Sequence, residues 1–161
     1  MNATDILIEI RPSFARRWLA LIALVLLSVL LLVLAAGDVP DLWRLFFFAL
    51  GGAVLWSGNR LRLSTLNGLV LTREGLQTTE GEMLAAIENV QQVERGVFAF
   101  KPSNGFLVRL IKAEPKGWAP GVWWRFGRRI GVGGTLSGGQ TRAMADLMGA
   151  LLLERDGKIQ L

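Results

Sequence analysis

The stretch WLALIALVLLSVLLLVLAA, residues 18–36, carries Ser28 as its only polar side chain. As one helix it is long enough to cross a hydrocarbon core of about 30 Å. A second apolar stretch, from Leu42 to Gly58, follows the turn Gly37-Asp38-Val39-Pro40-Asp41 and carries Arg44 as its only charged residue. Arg44 sits near the start of that stretch, where a long basic side chain can snorkel to the interface. Two apolar runs joined by a tight turn predict a transmembrane helical hairpin over residues 18–58, with spans at 18–36 and 42–58.

Basic residues fix the expected orientation, because Lys and Arg next to a span are retained on the cytoplasmic side. Arg11, Arg16 and Arg17 precede the first run and Arg60 and Arg62 follow the second, whereas Asp38 and Asp41 lie in the turn. Both termini are therefore expected in the cytoplasm. Trp18, Trp43 and Trp56 lie near the ends of the runs, the headgroup level at which indole rings are enriched. The competing account is a cleaved signal peptide with a cut near Val33-Leu34-Ala35. Its apolar core usually covers roughly 7 to 15 residues. Here the run is longer, and Asp5, Glu9 and a strand-like alternation of Ile6, Ile8 and Ile10 precede it. Residues 1–17 read as a short strand of mature protein.

Residues 59–161 are about the commonest size for one compact domain. The chain has no Cys, no His and no Tyr. Disulfides, thiolate nucleophiles, imidazole bases and zinc sites built from Cys or His are excluded. The charge of this part is concentrated in its middle third. Residues 99–135 hold seven basic side chains (Lys101, Arg109, Lys112, Lys116, Arg125, Arg128, Arg129) against Glu114 alone.

Leu69 to Thr72, a turn at Arg73-Glu74-Gly75 and Leu76 to Thr79 predict a hairpin that Gly81 ends. Met83 to Val97 fits a helical period at Ile87, Val90 and Val93. Its β-branched residues favour a strand from about Val90, after a turn at Glu88-Asn89. Phe98 to Phe100, a turn from Lys101 to Gly105 and Phe106 to Ile111 predict a further strand pair, and Gly121 to Phe126 and Arg129 to Val132 the last strands. Met144, Leu147, Met148 and Leu151 form one helical stripe. A C-terminal helix is expected over 138–155, with Ser137 as N-cap, Gly157 as stop and Arg155 and Lys158 at the negative end of its dipole. The fold class is α+β: a two-helix transmembrane hairpin, then antiparallel strands closed by a C-terminal helix.

This order of elements resembles the bacterial pleckstrin-homology-like (PH-like) domains found behind transmembrane hairpins in small membrane proteins. The resemblance rests on Leu69 to Leu76 as opening hairpin, Ile87-Glu88-Asn89-Val90-Gln91-Gln92-Val93 entering the middle strands, Gly127 to Gly134 as last strand, and the final helix. It implies an antiparallel β-sandwich or barrel capped by the helix, acting as a binding or scaffolding module at the inner membrane, without cofactor. Members that grip phosphoinositides use a basic cluster in the first hairpin turn, which here is Arg73-Glu74-Gly75.

Three motifs point to chemistry that their surroundings do not supply. Leu136-Ser137-Gly138-Gly139-Gln140 spells the signature of ATP-binding-cassette ATPases, but the chain has no GxxxxGK[ST] loop to cradle a triphosphate. A glycine turn with a serine cap before a helix accounts for it. Gly131-Val132-Gly133-Gly134 lacks the third glycine of a dinucleotide fingerprint and any βαβ unit around it. Glu80 and Glu82, two apart in a loop, read as solvated charges rather than an acid/base pair. No catalytic, cofactor or metal residues are assigned, and no enzymatic activity is expected.

Residues 112–129 are the candidate contact segment, because they interleave Trp118, Trp123 and Trp124 with Lys112, Lys116, Arg125, Arg128 and Arg129. Each basic side chain beside anionic lipid contributes about 1 kcal/mol, and indoles settle at the headgroup boundary. Strand alternation is expected to bury Val122, Trp124 and Phe126. Lys116, Trp118, Trp123, Arg125, Arg128 and Arg129 are then the outward contact set. Nucleic acid would suit such a patch, but a membrane tether argues against it, and no small-molecule substrate is expected. Gly51, Gly52 and Ala53 let another helix approach closely, the first span of the hairpin being the plain partner. The expected function is a non-enzymatic membrane-anchored adaptor that contacts a membrane-protein partner or an anionic lipid surface. The alternative is an accessory or assembly subunit of a larger membrane complex.

Overall fold

A computed structural model describes residues 6–95 and 102–157. The strand expected at Phe98 to Phe100, and Lys101 and Lys158, lie outside the described residues. The fold is α+β. Strand β1 (Ile6–Ile10) leads into helices α1 (Phe14–Ala36) and α2 (Asp41–Ser64). Strands β2 (Leu69–Thr72), β3 (Gly75–Thr78) and β4 (Met83–Ala86) follow, then a single 3-10 turn at Ile87–Asn89. The chain continues through β5 (Val90–Glu94), β6 (Phe106–Leu110), β7 (Gly117–Ala119), β8 (Trp123–Phe126) and β9 (Arg129–Val132) to α3 (Gly138–Arg155).

The strands form two antiparallel sheets, ordered β1-β2-β3-β4 and β5-β6-β9-β8-β7. Their inner faces share one core, in which Ile10, Leu69, Leu76, Val90, Phe106, Val108, Ile130 and Val132 are shut off from solvent. Helix α3 lies against β1 of the first sheet and β5 and β6 of the second, so it packs across both sheets. Met144, Met148 and Leu151 of the expected stripe are buried there. Ser137 stands at the N-cap, but its hydroxyl makes no capping bond. Arg155 does more than complement the helix dipole, since its guanidinium donates to the carbonyls of Ile87 (2.9 Å) and Val90 (2.6 Å).

The two helices interrupt a strand pair. β1, before α1, pairs antiparallel with β2, after α2, setting Ile10 opposite Leu69. The Phe14 end of α1 and the Ser64 end of α2 therefore both rest on the domain. Ser13 N donates to Thr135 O (2.9 Å), Arg16 to Leu136 O (2.6 Å) and Ser64 Oγ to Pro120 O (2.6 Å). Gly121 sits at this joint with φ +75°, and a Cβ there would lie 2.6 Å from Leu61 Cδ1. No residue but glycine fits both conditions easily.

Helices α1 and α2 pack along each other, with the Ser28 hydroxyl donating to Gly51 O (3.0 Å). Gly51 is buried, and a Cβ there would press on Leu32 at 3.2 Å. Gly52 faces open space and Ala53 is exposed, so only Gly51 of the expected three packs between the helices. The period of 3.6 explains this, since the next residues turn about 100° and 200° away from a contact made at Gly51. Among the described residues, α1 alone is both long and apolar enough to cross a membrane. α2 is shortened as an apolar element by Arg44 in its first turn and by Asn59, Arg60 and Arg62 near its end. Rather than standing alone, Arg44 donates to Asp41 Oδ1 (3.1 Å).

Candidate functional site

The basic aromatic segment builds β7, β8 and the turn into β9. Pairing fixes which side chains share a face: Trp118 stands opposite Trp124 and Trp124 opposite Gly131, while Phe126 stands opposite Arg129. These residues occupy the outer face of the five-stranded sheet. Trp118 and Phe126 are 54% and 52% exposed. Trp124 is half-buried because its indole lies on the bare backbone of Gly131, where a Cβ would sit 2.3 Å from the ring. Trp124 and Phe126 follow one another along the strand with ring centroids 6.0 Å apart. Lys116, just before β7, and Arg128, in the β8–β9 turn, are exposed.

The opposite face of the same strands points inward with Trp123, Arg125, Ile130 and Val132. Burial of Trp123 (8%) and Arg125 (6%) removes both from the expected contact set. The burial expected for Trp124 and Phe126 is likewise reversed: Phe126 is exposed and Trp124 only half-buried. The cause is one residue of phase: Val122 is buried, but it belongs to the Pro120-Gly121-Val122 loop between Ala119 and Trp123, not to the strand. Counting alternation from the Pro120-Gly121 turn signal, with Trp123 as the first strand residue, would have found the exposed aromatics.

Arg125 is buried at no cost in unmet hydrogen bonds. Its Nε donates to Pro115 O (2.6 Å) and its Nη1 to Met83 O (3.2 Å) and Leu84 O (3.0 Å). Its Nη2 reaches Glu82 Oε1 at 3.5 Å, and its guanidinium carbon lies 5.7 Å from the Trp123 ring centroid. One guanidinium thus ties β4, an edge strand of the first sheet, to the inner face of the second.

Trp118 also lines a groove of about 270 Å³ beside the end of α2, together with Arg60, Leu63, Glu80 and Glu82. The two carboxylates have separate partners: Glu80 accepts from Asn67 Nδ2 (2.7 Å) and Glu82 from Arg125. Neither is set against the other as an acid/base couple. Among the described residues no three metal-ligating side chains converge. What this region offers chemically is a contact surface: three aromatic rings in a row, flanked by Lys116, Arg128 and Arg129. Comparison with protein-family models, curated proteins and solved structures finds no match for this chain.

Proposed function

We propose that this chain is a non-enzymatic, membrane-anchored binding or adaptor protein. In this reading α1 and α2 cross the membrane as a hairpin, and the two-sheet domain, of PH-like form, stands on the cytoplasmic side. The observation that carries the proposal is the surface of α1. Only 17% of its apolar window is buried, with Ser28, Leu31 and Ala35 as its only buried residues. A core helix of a soluble protein is covered on its apolar face. An apolar helix left bare nearly all round matches a lipid surround. The pairing of β1 with β2 supports a second crossing, because a chain that leaves the domain through α1 must return through α2.

The domain meets its partner through Trp118, Trp124 and Phe126, with Lys116, Arg128 and Arg129 supplying charge. An anionic bilayer surface fits this mix of rings and cations. Because the chain has no Cys, a Phe126→Cys variant carries one environment-sensitive dye at a defined place. In nanodiscs containing phosphatidylglycerol the dye emission should shift to the blue, and in phosphatidylcholine discs it should not. The shift should disappear when Lys116, Arg128 and Arg129 are all changed to Gln. No shift in either disc would refute the lipid version and leave a protein as the occupant of this face.

A further inference from the structure

Between the domain-proximal ends of α1 and α2 lies a cleft of about 370 Å³, with Leu21, Val25 and Val54 among its walls. Its polar end carries Arg17, Asn59 and Arg62, and no acidic residue lines it. Arg17 comes from the first turn of α1 and Arg62 from the last turn of α2. Among the described residues neither guanidinium has an ion-pair or hydrogen-bond partner; Arg17 is half-buried and Arg62 exposed. The Nε of Arg17 is moreover closed off from solvent and unsatisfied. A buried donor without an acceptor costs free energy, and a phosphate that drew the Arg17 guanidinium towards the cleft would supply the acceptor.

We infer that this cleft holds one anionic phospholipid, its phosphate against Arg17 and Arg62 and an acyl chain along the apolar wall. The inference rests on the membrane reading above, which sets this end of the helices at headgroup depth. Two unpaired guanidiniums attract a phosphodiester by their opposite charge and offer it N–H donors in planar forks. The wall running from them along both helices matches the chain attached to it. Gly58 lines the cleft facing Leu24, which is 3.8 Å from where a Cβ would be, so a larger side chain there would occupy the cleft.

The test is native mass spectrometry of the full chain released from detergent micelles, titrated with dioleoylphosphatidylglycerol. One lipid per chain should be retained, and the Arg17→Gln/Arg62→Gln variant should bind it about a hundredfold more weakly, the loss expected for two charge-assisted contacts. Dioleoylglycerol, which lacks the phosphate, should not be retained. Gly58→Leu keeps both arginines and should also lose the lipid, so it decides the matter if the arginine variant folds poorly. Equal retention by the variants overturns the site while leaving the anchor intact. Competition by inorganic phosphate at matched concentration would also overturn it, in favour of a free-anion site. A chain recovered soluble without detergent would instead bring down the membrane reading itself.

Discussion

Arg125 shows how a residue's type misleads when its neighbours are unknown. A cation between two aromatics reads as surface, yet here it serves three carbonyl oxygens and Glu82 from within the fold. Removing it leaves those carbonyls without donors and opens a gap under Trp123. Arg125→Ala should therefore destabilise the domain by about 3 kcal/mol, as the loss of a buried, fully paired charge does. Arg125→Lys should recover little, since an ammonium cannot span acceptors placed around a planar fork. Arg128→Gln and Arg129→Gln, both exposed, should stay within about 0.5 kcal/mol of the parent. Denaturant unfolding of the four variants in one detergent separates these cases; similar losses at Arg125 and Arg128 would mean that the Arg125 hydrogen bonds contribute nothing. Of the expected contact set, Lys116, Trp118, Arg128 and Arg129 were legible as surface. Trp123 and Arg125 were not, because a single loop residue, Val122, shifts the phase of the alternation.

The elements legible from sequence are those with their own local signal. β2 and β3 flank a glycine turn, β9 follows Gly127, and α3 carries its apolar stripe. β4 and β7 had no such signal. Met83-Leu84-Ala85-Ala86 has no β-branched residue and Gly117-Trp118-Ala119 is three residues long, so each is a strand only because a neighbour pairs with it. The role of β1 was hidden for a different reason, since its partner β2 lies beyond both helices. Within the helical pair, the small-residue patch was visible but not its facing residue. Gly51→Val should push Leu32 aside and weaken the contact by about 1–3 kcal/mol, the usual cost of overpacking. Gly52→Val, next to open space, should be close to neutral. Thermal unfolding in detergent compares them directly, and equal effects would place the helix contact elsewhere.

At the scale of the whole molecule, charge and topology make one argument. Arg11, Arg16, Arg17, Arg60 and Arg62 gather where the helices meet the domain, and Asp38 and Asp41 lie at the far turn. Because β1 is hydrogen-bonded to β2, both helix ends at the domain lie on one side of any membrane. The chain then crosses either twice or not at all; a single crossing would tear β1 from its sheet. In the proposed two-span reading the basic end is retained inside and the far turn faces out. A membrane-impermeant maleimide applied to intact cells should label Asp38→Cys at once. It should label Ser103→Cys, exposed on the domain, only after permeabilisation. Labelling of Ser103→Cys but not Asp38→Cys would invert the orientation. Silence at both until lysis would mean no crossing, and the bare surface of α1 would then need a protein to cover it.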